Sequence, residues 1–267
     1  LVLNGAGRPP SRHADEIRDL TNETRSVPEA TRSEGAGTAR SDEADAMPAL
    51  AGPVSEPQPG TLAGTVSEVE AKAIVSDGVT RSYRLHTPER SPGTGIGDRK
   101  RPLVLALHGT GGDGDRLRGF LGGQLERVAG ERGWLVVYPD AWKGAWNDCR
   151  RTAGAPARTG GIDDVSFLRD LITRLGETHD VDPGRVFLLG YSGGGHLAFR
   201  VALEAPGLAR GVAVFGASLP TDREMTCREG SDSAIPPIMI VNGTRDPINP
   251  FDGGYVIAPT GAVLGAV

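Results

Sequence analysis

The stretch RVFLLGYSGGGHLAFRVALEAP, residues 185–206, runs from an apolar segment through a serine set among glycines into a helix-like pattern. Gly190-Tyr191-Ser192-Gly193-Gly194 fits Gly-x-Ser-x-Gly, directly after a predicted buried strand and directly before a predicted helix. Small residues two before and two after the serine allow a sharp turn that lifts its hydroxyl above the sheet edge. The Gly193 amide then faces any oxyanion formed there. The competing reading is a glycine-rich turn with an incidental serine. Agreement of strand, helix and position favours Ser192 as a nucleophile.

Working outward, RPLVLALHG (101–109) and GWLVVYPD (133–140) are apolar runs closed by turn residues, as expected of strands buried on both faces. Between them Leu117, Leu121, Leu125 and Val128 recur at helical spacing and predict one helix. DDVSFLRDLITRLGETH (163–179) predicts a second, capped by Asp163 or Asp164. ARGVAVFGA (209–217) and PPIMIVNG (236–243) add further strands. VEAKAIV and VTRSYRLHTP around SDG form an early hairpin. Strands alternating with amphipathic helices predict an α/β fold, a mostly parallel sheet with helices on both faces and ligands at the carboxyl ends of its strands. Residues 1–60 hold no aromatic side chain and read as a disordered leader or linker, with a short helix near ADEIRDLTNE; residues 61–267 read as the folded domain.

The net charge of −5 and the scatter of 26 arginines among acids speak against a nucleic-acid surface. No run of 18 apolar residues predicts a membrane span, and residues 1–20 lack the pattern of a signal peptide. Two cysteines, Cys149 and Cys227, leave no four-cysteine zinc site. They stand open between separate buried thiols and a disulfide at the pocket rim, which would accompany export.

LHGTGGDGD (107–115) has two readings. Gly109, Gly111 and Gly114 match the Gly-x-Gly-x-x-Gly of a dinucleotide site, followed by a strand that ends at Asp140. The same loop, ahead of Gly-x-Ser-x-Gly, is the outline of an oxyanion loop in which the Thr110 amide complements that of Gly193. The second reading accounts for Ser192 and the first does not.

With these pieces in order, the chain resembles the α/β-hydrolase esterases grouped with extracellular polyhydroxybutyrate depolymerases and feruloyl or acetylxylan esterases. The matching segments are LVLALHGTGGDG, VVYPDAWKGAWNDCR, DDVSFLRDLI, VDPGRVFLLGYSGGGHLAFRVA and PIMIVNGTRDPINPFDGG, across about residues 75–260. The resemblance implies Ser192 as nucleophile, Asp246 as triad acid with Asp252 in reserve, and Thr110 and Gly193 as oxyanion amides. It implies a polyester or a feruloyl or acetyl ester of plant polysaccharide as substrate, no metal or cofactor, and an extracellular or periplasmic protein. Trp142 and Trp146, in the loop after GWLVVYPD, join Tyr191 as a candidate apolar wall for the substrate, against the alternative of loop residues packed on the domain.

The fold places the catalytic histidine after Asp246, and residues 247–267 contain none. Of the five histidines, His196 lies one turn beyond Ser192 and is the only other candidate base, against a packing role. The chain reads as cut before its last helix and strand, so residues 1–267 alone are expected to be poorly soluble and nearly inactive. Two other classes remain: a dinucleotide-dependent oxidoreductase on the Gly109–Gly114 loop, and a hydrolase-shaped binding module without turnover.

Overall fold

A computed structural model describes residues 69–89, 99–151, 154–227, 234–257 and 263–266. The leader expected over 1–60 lies outside the described residues. The chain opens with a hairpin, β1 (Val69–Ser76) and β2 (Val79–His86), whose two-residue turn places Asp77 at φ 49° and Gly78 at φ 76°. This pair of left-handed residues is what a tight hairpin needs to match the twist of its strands.

Five more strands complete the main sheet: β3 (Arg101–Leu107), β4 (Leu135–Pro139), β5 (Val181–Tyr191), β6 (Gly211–Phe215) and β7 (Ile238–Val241). The spatial order is β1-β2-β4-β3-β5-β6-β7. The hairpin joins antiparallel at β4, and every contact from β4 through β7 is parallel. All of β3 and β4 is buried, which explains their lack of alternation in the sequence. A separate two-stranded ribbon pairs β8 (Tyr255–Ile257) with β9 (Val263–Ala266).

Both faces of the centre of the sheet are covered, while Met239 and Val241 of β7 are exposed. Leu103, Leu105, Leu107, Val186 and Leu188 point into a core shared with α4 (Asp164–Thr178) and α5 (Gly193–Glu204). Ala106, Val136 and Tyr138 point the other way, toward Leu117 and Ala129 of α1 (Gly114–Phe120) and α2 (Gln124–Arg132). A short α3 (Pro156–Thr159) follows the loop after β4. The single helix expected from the Leu117-to-Val128 spacing is thus two. Gly122 and Gly123, at φ 59° and 71°, take left-handed conformations that interrupt the ladder.

Asp163 caps α4, its Oδ1 accepting from the amides of Val165 (3.0 Å) and Ser166 (3.1 Å). The next residue, Asp164, is fully buried and accepts from the Arg81 guanidinium at 2.6 Å and from the Asn147 amide at 2.7 Å. That carboxylate ties the hairpin, the loop after β4 and α4 together. Arg81 also lies over the Phe167 ring, 4.0 Å from its centroid. Among the described residues, no helix is long and apolar enough to cross a membrane.

Candidate active site

The central strand β5 ends at Tyr191, and α5 starts at Gly193, so the chain reverses within Ser192. Its backbone sits at φ 50°, ψ −114°, a region that side chains rarely occupy and that surrounding structure must enforce. The enforcement is visible. The Ser192 amide donates to Phe215 O (2.8 Å) and the His196 amide donates to Ser192 O (3.1 Å). A Cβ on Gly190 would lie 2.5 Å from Gly194 O, and one on Gly194 would lie 2.5 Å from the Leu107 carbonyl carbon. Only glycine lets helix and strands come this close.

Gly193 serves a different neighbour. A Cβ there would stand 2.9 Å from the Thr110 backbone nitrogen and would clash with the Thr110 hydroxyl. The two residues nominated as oxyanion donors are therefore in contact, at the carboxyl ends of β3 and β5. In the same glycine loop, a Cβ on Gly109 would meet Ser192 Cβ at 3.3 Å.

The glycine loop is held from beneath. Trp146 is buried, its indole N–H donates to His108 O (2.8 Å), and its ring lies 5.0 Å from the His108 ring. The substrate wall expected of Trp146 is thus corrected: the side chain braces the loop from inside the core and reaches no ligand surface. His108 is buried too. The Ala141 amide donates to its Nε2 (3.0 Å), which leaves Nδ1 to donate to Gly109 O (2.8 Å), and burial pushes its pKa below the ordinary histidine value. It stands as a neutral structural clip. Gly111 N donates to Gly144 O (2.7 Å) and closes the loop against the segment after β4. Trp142 is half-buried, packed near Gly160 and under the Lys143 ammonium. Tyr191 is exposed.

The dinucleotide reading fails on the same loop. The N-terminus of α1, where a pyrophosphate would sit, already holds two carboxylates: Asp113 accepts from Arg116 N (2.8 Å) and Asp140 accepts from Gly114 N (2.8 Å). Their charge opposes an anion there.

Asp246 follows β7 in a turn. Its Oδ1 accepts from the amides of Ile248 (2.8 Å) and Asn249 (2.9 Å). Its Oδ2 faces Gly216, at 3.8 Å from where a Cβ would be, and Gly216 at φ 60° keeps that space clear beside the end of β6. One oxygen holds the turn and the other faces the edge of the sheet that carries Ser192. Asp252 lies in an exposed turn further along.

Sequence reasoning missed Asn249. Buried in the same loop, it donates from Nδ2 to Gly216 O (2.8 Å) and accepts at Oδ1 from His196 Nε2 (3.3 Å). His196 is therefore a packing residue. Its ring is sealed beneath the acid loop, and burial, with Arg150 nearby, pushes its pKa down to about 3. The remaining described histidines are no better placed: His86 is on β2, and His179 caps the end of α4, at the opposite end of β5 from Ser192.

Cys149 and Cys227 form a disulfide with Cα atoms 4.9 Å apart. It links the loop after β4 to the segment after β6, helped by Thr226 N donating to Cys149 O (2.8 Å). Next to it, the buried Arg150 donates from Nε to Asp148 Oδ1 and from Nη2 to Oδ2, and it holds the Asp148 carboxyl below its ordinary pKa despite burial.

Residues 81–246 match the family described as esterase PHB depolymerase. The chain belongs to that family. It is 33% identical over 183 residues to the putative esterase NocK of Nocardia uniformis, covering 68% of this chain and 50% of that protein. It is 30% identical to a poly(3-hydroxybutyrate) depolymerase of Ralstonia pickettii, covering 58% and 32%. With feruloyl esterase C of Emericella nidulans the identity is 27%, covering 59% and 53%. The chain thus spans about half or less of the length of these family relatives. Among solved structures, a thermostable esterase aligns with a TM-score of 0.48 at 21% identity, over 69% of this chain and 48% of that one.

Proposed function

We propose that the protein is a serine carboxylic-ester hydrolase that works through an acyl-enzyme, with Ser192 as nucleophile. The observation that carries this reading is the backbone of Ser192, held at φ 50°, ψ −114° between a central strand and a helix, with Thr110 against Gly193 beside it. Storing strain at a serine is costly unless its hydroxyl must stand clear of the backbone. Family membership supports the same reaction class.

In this reading the Ser192 hydroxyl attacks the ester carbonyl carbon as an imidazole takes its proton. The amides of Thr110 and Gly193 hold the oxyanion that forms. Collapse breaks the bond to the alcohol, which leaves with the proton, and the acyl group stays on Ser192 Oγ. Water then attacks the acyl-enzyme and gives its proton to the imidazole, which passes it to Ser192 Oγ as the acyl–oxygen bond breaks and the carboxylic acid leaves. In this reading Asp246 Oδ2, which the turn leaves facing Gly216, holds that imidazole by its other N–H.

The substrate is a polyester or a feruloyl or acetyl ester of plant polysaccharide, a reading supported by relatives named poly(3-hydroxybutyrate) depolymerase, feruloyl esterase and acetylxylan esterase. An extracellular or periplasmic location fits the disulfide. The test is hydrolysis of short p-nitrophenyl esters by the full-length protein. Ser192→Ala is expected to abolish it, and a variant that keeps wild-type rates overturns the assignment.

A further inference from the structure

Beside the glycine loop is a cavity of about 270 Å³ bounded by Gly109, Thr110, Gly112, Arg116, Phe120 and Tyr191. Its apolar wall is an aromatic pair. Phe120, the last residue of α1, is 73% exposed, and Tyr191, immediately before Ser192, is 42% exposed. Their rings stack with centroids 5.5 Å apart and planes 26° from parallel. Two large rings open to water next to a reactive serine form an apolar surface that a bound molecule would cover.

The sheet order says which part of the ester covers it. Asp246 follows β7, so an imidazole it holds approaches Ser192 across β6. The departing alcohol must lie within reach of that imidazole to take its proton. Phe120 and the glycine loop follow β3, on the opposite side of β5. With the alcohol toward β6 and the oxyanion at Thr110 and Gly193, the acyl group is the substituent left to cover the ring pair beside the glycine loop. The Tyr191 ring reaches that side, 3.3 Å from a Cβ on Gly109.

We infer that Phe120 and Tyr191 form the acyl-binding surface and that Phe120 sets acyl preference in favour of extended or planar apolar acids; this rests on the ester-hydrolase reading above. Phe120 is suited to a test because its side chain is mostly solvent-exposed and its loss leaves the core untouched.

Two substrate series on the full-length protein decide it. One holds the alcohol as p-nitrophenol and varies the acid through acetate, butyrate, hexanoate and 3-phenylpropanoate. The other holds the acid as acetate and varies the alcohol through p-nitrophenol, 4-methylumbelliferone and 1-naphthol. Phe120→Ala is expected to lower the ratio of kcat/KM for hexanoate or phenylpropanoate over acetate by about tenfold, as loss of an apolar contact does. Phe120→Trp is expected to restore that ratio to within about threefold. Ratios among the alcohols should not move. A ratio unchanged by Phe120→Ala, or a change that follows the alcohol, overturns the inference while Ser192-dependent hydrolysis stands. Absence of hydrolysis in the wild type, or its survival in Ser192→Ala, overturns the proposed reaction and the inference with it.

Discussion

Glycine at 193 is required by a neighbour rather than by its own backbone, which is helical. Elsewhere on a helix, glycine to alanine gains roughly 1 kcal/mol. Here the added methyl meets the Thr110 backbone nitrogen at 2.9 Å and must push the glycine loop away. Gly193→Ala should lower kcat on p-nitrophenyl esters by about 10²–10³, the cost of a lost oxyanion donor, with KM little changed. Asp246→Asn is expected to keep its turn, because the amide oxygen can replace Oδ1 as acceptor for Ile248 and Asn249. It loses the oxygen that faces Gly216. A fall in kcat of about 10⁴ should follow, by analogy with triads whose acid is neutralised. Thermal unfolding of both variants separates these losses from misfolding. The positions of Ser192, Thr110, Gly193 and Asp246 just beyond strand ends were legible because they follow from the order of strands and helices. Trp146 and Asn249 were not, because nothing in a loop's sequence distinguishes a side chain turned inward from one turned toward a ligand.

At the scale of elements, the strands were readable from uninterrupted apolar runs and the α4 boundary from Asp163. The helix after β3 was misread because leucines keep their spacing across Gly122 and Gly123, while the left-handed backbone there breaks the ladder. The acid loop was invisible as an element. It is held by a buried contact between Asn249 and His196, residues 53 apart. Burial of the His196 ring beneath that loop makes stability depend on pH. The folded pKa of His196, about 3, lies below an unfolded value of about 6.5, so the unfolded chain binds the extra proton between them. Its contribution is fully present above about pH 6.5 and is lost as pH falls toward 3. His108, also lowered by burial, acts in the same direction. Denaturant unfolding from pH 7 to 4 should show stability falling, with up to about 1.4 kcal/mol per pH unit from one such proton. His196→Gln, which keeps a donor for Asn249, should reduce that slope; an unchanged slope contradicts the assignment.

Across the whole molecule, two long-range ties carry information that local patterning lacks. Asp164 joins the hairpin, the loop after β4 and α4, and Asp164→Ala leaves the buried Arg81 charge without its carboxylate, holding only the Asp140 carbonyl. A cost of about 3–5 kcal/mol is expected in denaturant unfolding. The disulfide closes a separation of 78 residues between Cys149 and Cys227. Replacing both with serine should cost about 2–5 kcal/mol, and a variant as stable as the wild type contradicts a structural role. The α/β architecture was legible because alternation of strands and helices implies it, and the Cys149–Cys227 pairing, one of two readings open in the sequence, is the one formed; the Asp164 tie was not legible, since ion-pair partners far apart leave no periodic trace. All of this scaffolding converges on one hydroxyl. Intact-mass and peptide analysis of the full-length protein after treatment with a fluorophosphonate tests that claim most directly. A single adduct on the peptide carrying Ser192, absent in Ser192→Ala, is the predicted result. An adduct on another residue, or none while the protein still hydrolyses esters, would contradict it.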